Sequence, residues 1–224
     1  MNLVAIPDTR ISIVVLVVLF VILIASSATF WLLNRRWTSH RQWVTLAEWA
    51  RNAGFRVERC EAGRMPPPLD ALSPSQPIIL RLCLSTHQTT LAQAQTQPLQ
   101  GESVHPAQPE PIIWNVAIRE LETVWPPTGL RPAAATSSVL DLFSLSSFPL
   151  LGANDRFVVF GTETSAAATL SRSMARSLLP PDVGLLLHGS HLTLDFSQRP
   201  FDTLELDRVI ALAEQLAEKL PIPS

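Results

Sequence analysis

The sequence predicts an α+β protein: one N-terminal transmembrane helix, followed by a mainly antiparallel sheet packed with about three helices. Three observations carry this reading. Residues Ile11 to Leu33 form 23 consecutive positions without a charge. Short runs alternating apolar and polar residues, the period of a strand, cluster between residues 55 and 120. Helical periodicity frames them at both ends, so strands and helices are segregated rather than alternating as in a parallel βαβ fold. The chain divides into an extramembrane segment 1–10, the span 11–33, a juxtamembrane helix 34–54 and an α+β domain 55–224.

A helix of 23 residues at ~1.5 Å per residue covers the hydrocarbon core of a bilayer. The alternative is a cleavable signal peptide, with Ser26 and Ala28 as the small residues before the cut. Apolar sequence continues through Phe30 to Leu33 and then meets Arg35 and Arg36, which is how a retained anchor ends. Arg10 alone precedes the span, whereas Arg35, Arg36 and Arg41 follow it, so the positive-inside rule places the C-terminal domain in the cytoplasm and the N-terminus outside. Trp31 and Trp37 fit the headgroup layer, and with Arg35, Arg36 and Arg41 they form the expected membrane-interface set.

Beyond the span, Ser39 and Gln42 suggest a capping box and Gly54 a helix C-cap, with Trp43, Leu46, Ala47, Ala50 and Ala53 as the apolar stripe. Strands are expected over Phe55–Cys60, Pro77–Ser85 and Ile112–Glu120. The Gln-, Thr- and Pro-rich stretch 86–111 reads as a flexible loop, and Trp125-Pro126-Pro127 opens another that reaches about Ser137. Residues 139–151 fit neither period. A compact strand follows in "DRFVVFG", then one helix capped by Thr162 or Thr164 and stopped at Pro180. The last helix begins with Asp202 and Glu205 as a capping box and Phe201 and Leu206 as a hydrophobic staple. Leu206, Val209, Ile210, Ala213, Leu216, Ala217 and Leu220 form its apolar face.

Between them "LLLHGSHLTLDF" is expected as a hairpin turning at Gly189-Ser190, pairing His188 with His191 and Gly184 with Asp195. Alternation then sends Val183, Leu185, Leu187, Leu192, Leu194 and Phe196 to a core face. The two histidines meet on the other side of the tip, too few for a zinc site.

No stretch announces a chemistry. With 17 Lys and Arg against 19 Asp and Glu, there is no basic field to concentrate nucleic acid. Gly161 lacks the further glycines of a dinucleotide loop and the Lys-Ser/Thr of a P-loop, which leaves only an anion near Arg172 and Arg176 at i and i+4. No Gly-x-Ser-x-Gly elbow is present, and Asp195 and Asp202 near Arg199 read as a capped, salt-bridged turn. Cys60 and Cys83 read as buried thiols in a reducing compartment. No catalytic residue, metal ligand or cofactor is nominated.

The C-terminal stretch "RFVVFGTETSAAATLSRSMARSLLPPDVGLLLHGSHLTLDFSQRPFD", with the N-terminal anchor, resembles uncharacterised bacterial single-pass membrane proteins. That resemblance implies the topology alone. The expectation is a bitopic bacterial membrane protein whose cytoplasmic domain binds another protein, as an accessory or structural subunit of a larger membrane complex. The alternative is a membrane-tethered hydrolase or small-ligand-binding enzyme whose site is assembled from distant residues.

Overall fold

The computed structural model describes residues 20, 23, 24, 26, 43–58, 78–96, 112–135, 138, 149–153, 155–173 and 175–221. Two compact units divide at residues 46 and 47. In the first, Phe20, Leu23, Ile24 and Ser26 are helical, and the three apolar side chains are half or more exposed. No helix among the described residues is long and apolar enough to cross a membrane. The expected span 11–33 lies, apart from those four positions, outside the described residues. So do the interface residues Trp31, Arg35, Arg36, Trp37 and Arg41 and the thiol of Cys60.

Helix α1, residues 43–52, ends as its sequence requires. Gly54 adopts φ 77°, Phe55 N–H donates to Ala50 O at 2.7 Å and Gly54 N–H donates to Arg51 O at 3.2 Å. These are the two bonds of a Schellman cap, closed by the residue type that reaches positive φ most easily. The expected stripe is narrower than its sequence suggests. Leu46 and Ala50 are buried and Trp49 half-buried, whereas Trp43, Ala47 and Ala53 are exposed. Trp49 stacks on Phe55 at 5.5 Å between ring centroids, which pulls the buried face round towards the cap.

The second unit is α+β, built on one antiparallel sheet. Its strands are β1 (Arg56–Glu58), β2 (Ile78–Ser85), β3 (Thr89–Thr96), β4 (Ile113–Pro132), β5 (Leu150–Ala153), β6 (Phe157–Gly161) and β7 (Gly184–Asp195). The order is β1-β2-β3-β4-β6-β5, with β7 paired to β4. β7 folds back on itself. A Cβ built on Gly184 would sit 3.2 Å from the Cβ of Asp195, whereas a straight strand of this length at ~3.3 Å per residue would hold its ends far apart. Gly189 supplies the left-handed turn at φ 57°. Since the two arms of β7 run in opposite directions and each pairs antiparallel with β4, β4 must bend as well. Its first arm pairs Val116–Glu120 with Asp195–His191, and its second pairs Thr128–Leu130 with Leu187–Leu185. The eight steps from Glu120 to Thr128 face the four from His191 to Leu187. β4 therefore wraps round the β7 tip, and its outer path takes the extra residues. Pro126 and Pro127 fall in that bend, off the ladder, where a missing N–H costs nothing.

The expected loop after Trp125 is thus a strand bend, and Thr128–Pro132 is an arm that pairs with β6 as well as β7. A larger correction concerns β3, which lies inside the stretch expected as a flexible loop and pairs along its length with β2 and β4. Its alanines are a fit to bulky neighbours rather than a sign of a weak core. Ala92 sits between Cys83 and Val116, Ala94 between Leu80 and Trp114, and both alanines are buried. Cys83 is a buried thiol.

The hairpin's predicted core set is fully buried: Val183, Leu185, Leu187, Leu192, Leu194 and Phe196 each show 0% exposure. The opposite face is less polar in its setting than the pattern suggests, because Leu186, Thr193 and Asp195 are buried too, and only the tip 188–191 is half-exposed. The sheet is covered on both sides there. Of the ambiguous segment, residues 150–151 belong to β5, and 139–148 lie outside the described residues.

The expected single helix after Gly161 is two: α2 (Thr164–Arg172) and α3 (Ala175–Leu178). Ser173 breaks it by turning both its N–H and its hydroxyl onto Leu170 O. Neither Thr162 nor Thr164 is the cap; Glu163 holds that position without a side-chain cap bond. The last helix, α4 (Thr203–Lys219), starts on Asp202, whose side chain accepts from Glu205 N–H at 2.9 Å. Leu206, Val209, Ala213 and Leu216 are buried on the face it lays against β4 and β7. Burying each such leucine contributes about 1.5–3 kcal/mol. Phe201 stacks on Phe196 at 6.0 Å, which fixes the chain's entry into α4.

Candidate binding groove

Within the second unit a groove of about 650 Å³ opens where five segments converge. The capped end of α1 and the start of β1 supply Ala53–Arg56, the β2–β3 turn supplies Ser85–Thr89, β4 supplies Arg119, and α4 supplies Ile210 and Glu214. The volume suits a side chain with its flanking main chain or a small organic ligand.

The turn is held from within. Thr86 N–H donates to Thr89 O at 2.8 Å, and Thr86 Oγ1 accepts from Thr89 N–H at 2.9 Å and Gln88 N–H at 3.3 Å. Gln88 O in turn accepts from Glu120 N–H at 3.0 Å, which ties the turn to β4. His87 and Gln88 thereby project from a fixed backbone and are exposed.

Arg119 lies across the floor. Its neighbour in the ladder is Thr89, and its Nη1 donates to Thr89 Oγ1 at 3.0 Å and to Glu214 Oε1 at 3.2 Å. The Arg119 side chain is 19% exposed and that of Glu214 50% exposed. Phe55, 8% exposed, and Ile210 give the groove an apolar wall. The arrangement sets a charged group beside a hydrophobic wall. Sequence reasoning missed it, because Arg119 stands 30 residues from Thr89 and 95 from Glu214, and no local spacing records the meeting.

A second polar assembly lies at the base of α4. Arg199 donates from Nε and Nη2 to the two carboxylate oxygens of Asp182, at 2.6 and 2.7 Å, and from Nη1 to Glu205 at 2.6 Å. The expected partners of Arg199, Asp195 and Asp202, are engaged elsewhere. Asp195 is 5% exposed and accepts from Ser138 Oγ at 2.6 Å and Ser197 N–H at 3.1 Å, while Asp202 caps α4. The paired guanidinium holds the Asp182 carboxyl below the ordinary aspartate range, and the two carboxylates raise Arg199. This clamp joins the loop before β7 to the start of α4 and has a structural role.

Among the other polar stretches of the sequence, His188 and His191 are half-buried at the β7 tip, and Glu120 is the ladder partner of His191. Among the described residues no three His, Cys, Asp or Glu side chains gather as a metal site. Arg172 and Arg176 are separated by the Ser173 break, and Arg176 Nη1 turns back to Ser171 O at 3.4 Å. The two arginines therefore lie on separate helices rather than at i and i+4 of one.

No protein-family profile and no characterised protein sequence matches the chain. Among solved structures, it is similar to the crystal structure of the mycobacterial trehalose monomycolate transport factor A, TtfA. The TM-score is 0.49 at 12% identity, over 79% of this chain and 95% of that one.

Proposed function

We propose that the chain is a membrane-tethered interaction protein, anchored by residues 11–33, whose C-terminal domain docks a protein partner from the cytoplasmic side as an accessory subunit of a membrane complex. The observation that carries this reading is the groove around Arg119. It is preformed by a hydrogen-bonded turn and a capped helix, and open to solvent, and its apolar wall stands beside a charged floor. Protein-binding sites combine those features. The anchor is supported by the 23 uncharged residues and by the exposed apolar side chains of Phe20, Leu23 and Ile24 on a helix.

The test is purification of the full chain from its own membranes in mild detergent, with and without groove substitutions such as Gln88→Arg. A defined partner that is retained by the wild type and lost from the variant is expected. A chain that emerges alone from both contradicts the reading. Proteolysis of right-side-out and inverted vesicles tests orientation: the C-terminal domain is expected to be cut only in inverted ones.

A further inference from the structure

The groove has a chemistry narrower than protein binding in general, and the ligand class it selects rests on the proposed docking role. A guanidinium carries five N–H donors in a planar fork. In Arg119 both hydrogen bonds leave from Nη1, so Nε and Nη2 have no partner among the described residues. Neither is sealed away, because Arg119 lines the groove. An arginine about four-fifths covered, fixed by Thr89 and with one edge of its fork unpartnered among the described residues, is preorganised for bidentate recognition of an oxyanion.

The present carboxylate is a poor occupant. Glu214 reaches Arg119 through one contact at 3.2 Å and is half-exposed, a geometry that contributes little and exchanges readily. Around it the balance is positive, because Arg56 lines the same groove without an ion-pair partner among the described residues. Glu214 also selects the incoming charge. A carboxylate beside it meets one like charge with one of its own, whereas a phosphate dianion meets it with two. Phe55 and Ile210 then suit an apolar neighbour of that carboxylate.

We infer that Arg119 receives an Asp or Glu side chain of the protein partner, flanked by an apolar residue, with Glu214 as the internal competitor that the incoming carboxylate displaces.

The test uses the full chain in nanodiscs at fixed ionic strength and the anisotropy of a fluorescein-labelled octapeptide of alternating leucine and glutamate. Leucine–glutamine and leucine–phosphoserine counterparts, inorganic phosphate as competitor and anionic-lipid vesicles complete the set. The glutamate peptide is expected to bind at least about tenfold more tightly than the glutamine one. Arg119→Gln removes that difference, and Glu214→Gln, by deleting the competitor, tightens glutamate-peptide binding by about threefold or more. The Glu214 variant keeps the test decisive if Arg119→Gln fails to fold. Equal affinity for the two peptides, no binding of either, tighter binding of phosphoserine, displacement by inorganic phosphate, engagement of vesicles alone, or a Glu214→Gln variant that binds no better would each overturn the inference. A flat peptide titration beside a retained partner removes this inference alone; a chain that purifies without any partner removes the docking role.

Discussion

Gly184 and Asp195, the first and last residues of β7, lie side by side, with 3.2 Å between the Asp195 Cβ and the place a Cβ on Gly184 would take. Leu130 O and Pro132 Cδ stand 3.5 and 3.6 Å from the same point. A side chain there presses on the Cβ of the buried Asp195 and on the second arm of β4 together. Gly184→Val is expected to lower unfolding free energy by about 1–3 kcal/mol, as overpacking does, measured by urea denaturation.

Gly189 is required for a different reason. Beyond its own chain neighbours, no atom of the described residues lies within 4 Å of the place a Cβ would take, but φ is 57°. Gly189→Ala is expected to cost about 1–2 kcal/mol through backbone conformation alone, and Gly189→Asn, which tolerates that region, distinctly less. The pair of substitutions separates strain from crowding. By contrast, His188→Gln with His191→Gln changes a half-exposed tip, and the double variant is expected to stay within about 0.5 kcal/mol of wild type by the same titration.

The Arg199 clamp gives a pH dependence with a defined sign. Folding lowers the Asp182 pKa from the ordinary 3.8, so in acid the unfolded chain binds the proton first. The stabilisation is present above about pH 4 and is lost as pH falls through the lowered folded value. Urea midpoints measured between pH 6 and pH 2 should show wild type losing its advantage over Asp182→Asn below pH 4. A constant difference across that range contradicts the role given to the clamp.

At the start of α4, Asp202→Ala removes the bond accepted from Glu205 N–H and is expected to cost about 1 kcal/mol. Leu206→Ala, at a fully buried position, should cost about 2–5 kcal/mol. Thermal unfolding of the two variants checks both the values and their order.

These elements were legible because their signals are local. The hairpin of β7 follows from strict alternation either side of Gly189-Ser190, and the α4 cap follows from Asp202 and Glu205 three residues apart. β3 was not legible. Its Gln, Thr and Ala residues look like linker composition, and the reason for small side chains at Ala92 and Ala94 is Val116 and Trp114 on another strand. The β4 bend was hidden likewise, since Trp125-Pro126-Pro127 ends a strand in most settings, and only the need to pass round the β7 tip keeps it within one. The groove is the extreme case. Arg119 reads as a polar position on a half-buried strand until Glu214 and the Thr86 turn are brought to it.

The most direct test of docking at this groove is photo-crosslinking in intact membranes from a benzophenone side chain at Gln88, on the exposed rim, with Leu204, 61% exposed at the start of α4, as the reference position. One discrete protein adduct is expected from position 88, and none from position 204. The absence of an adduct at 88, or the same adducts from both positions, contradicts the assignment of the groove as the docking site.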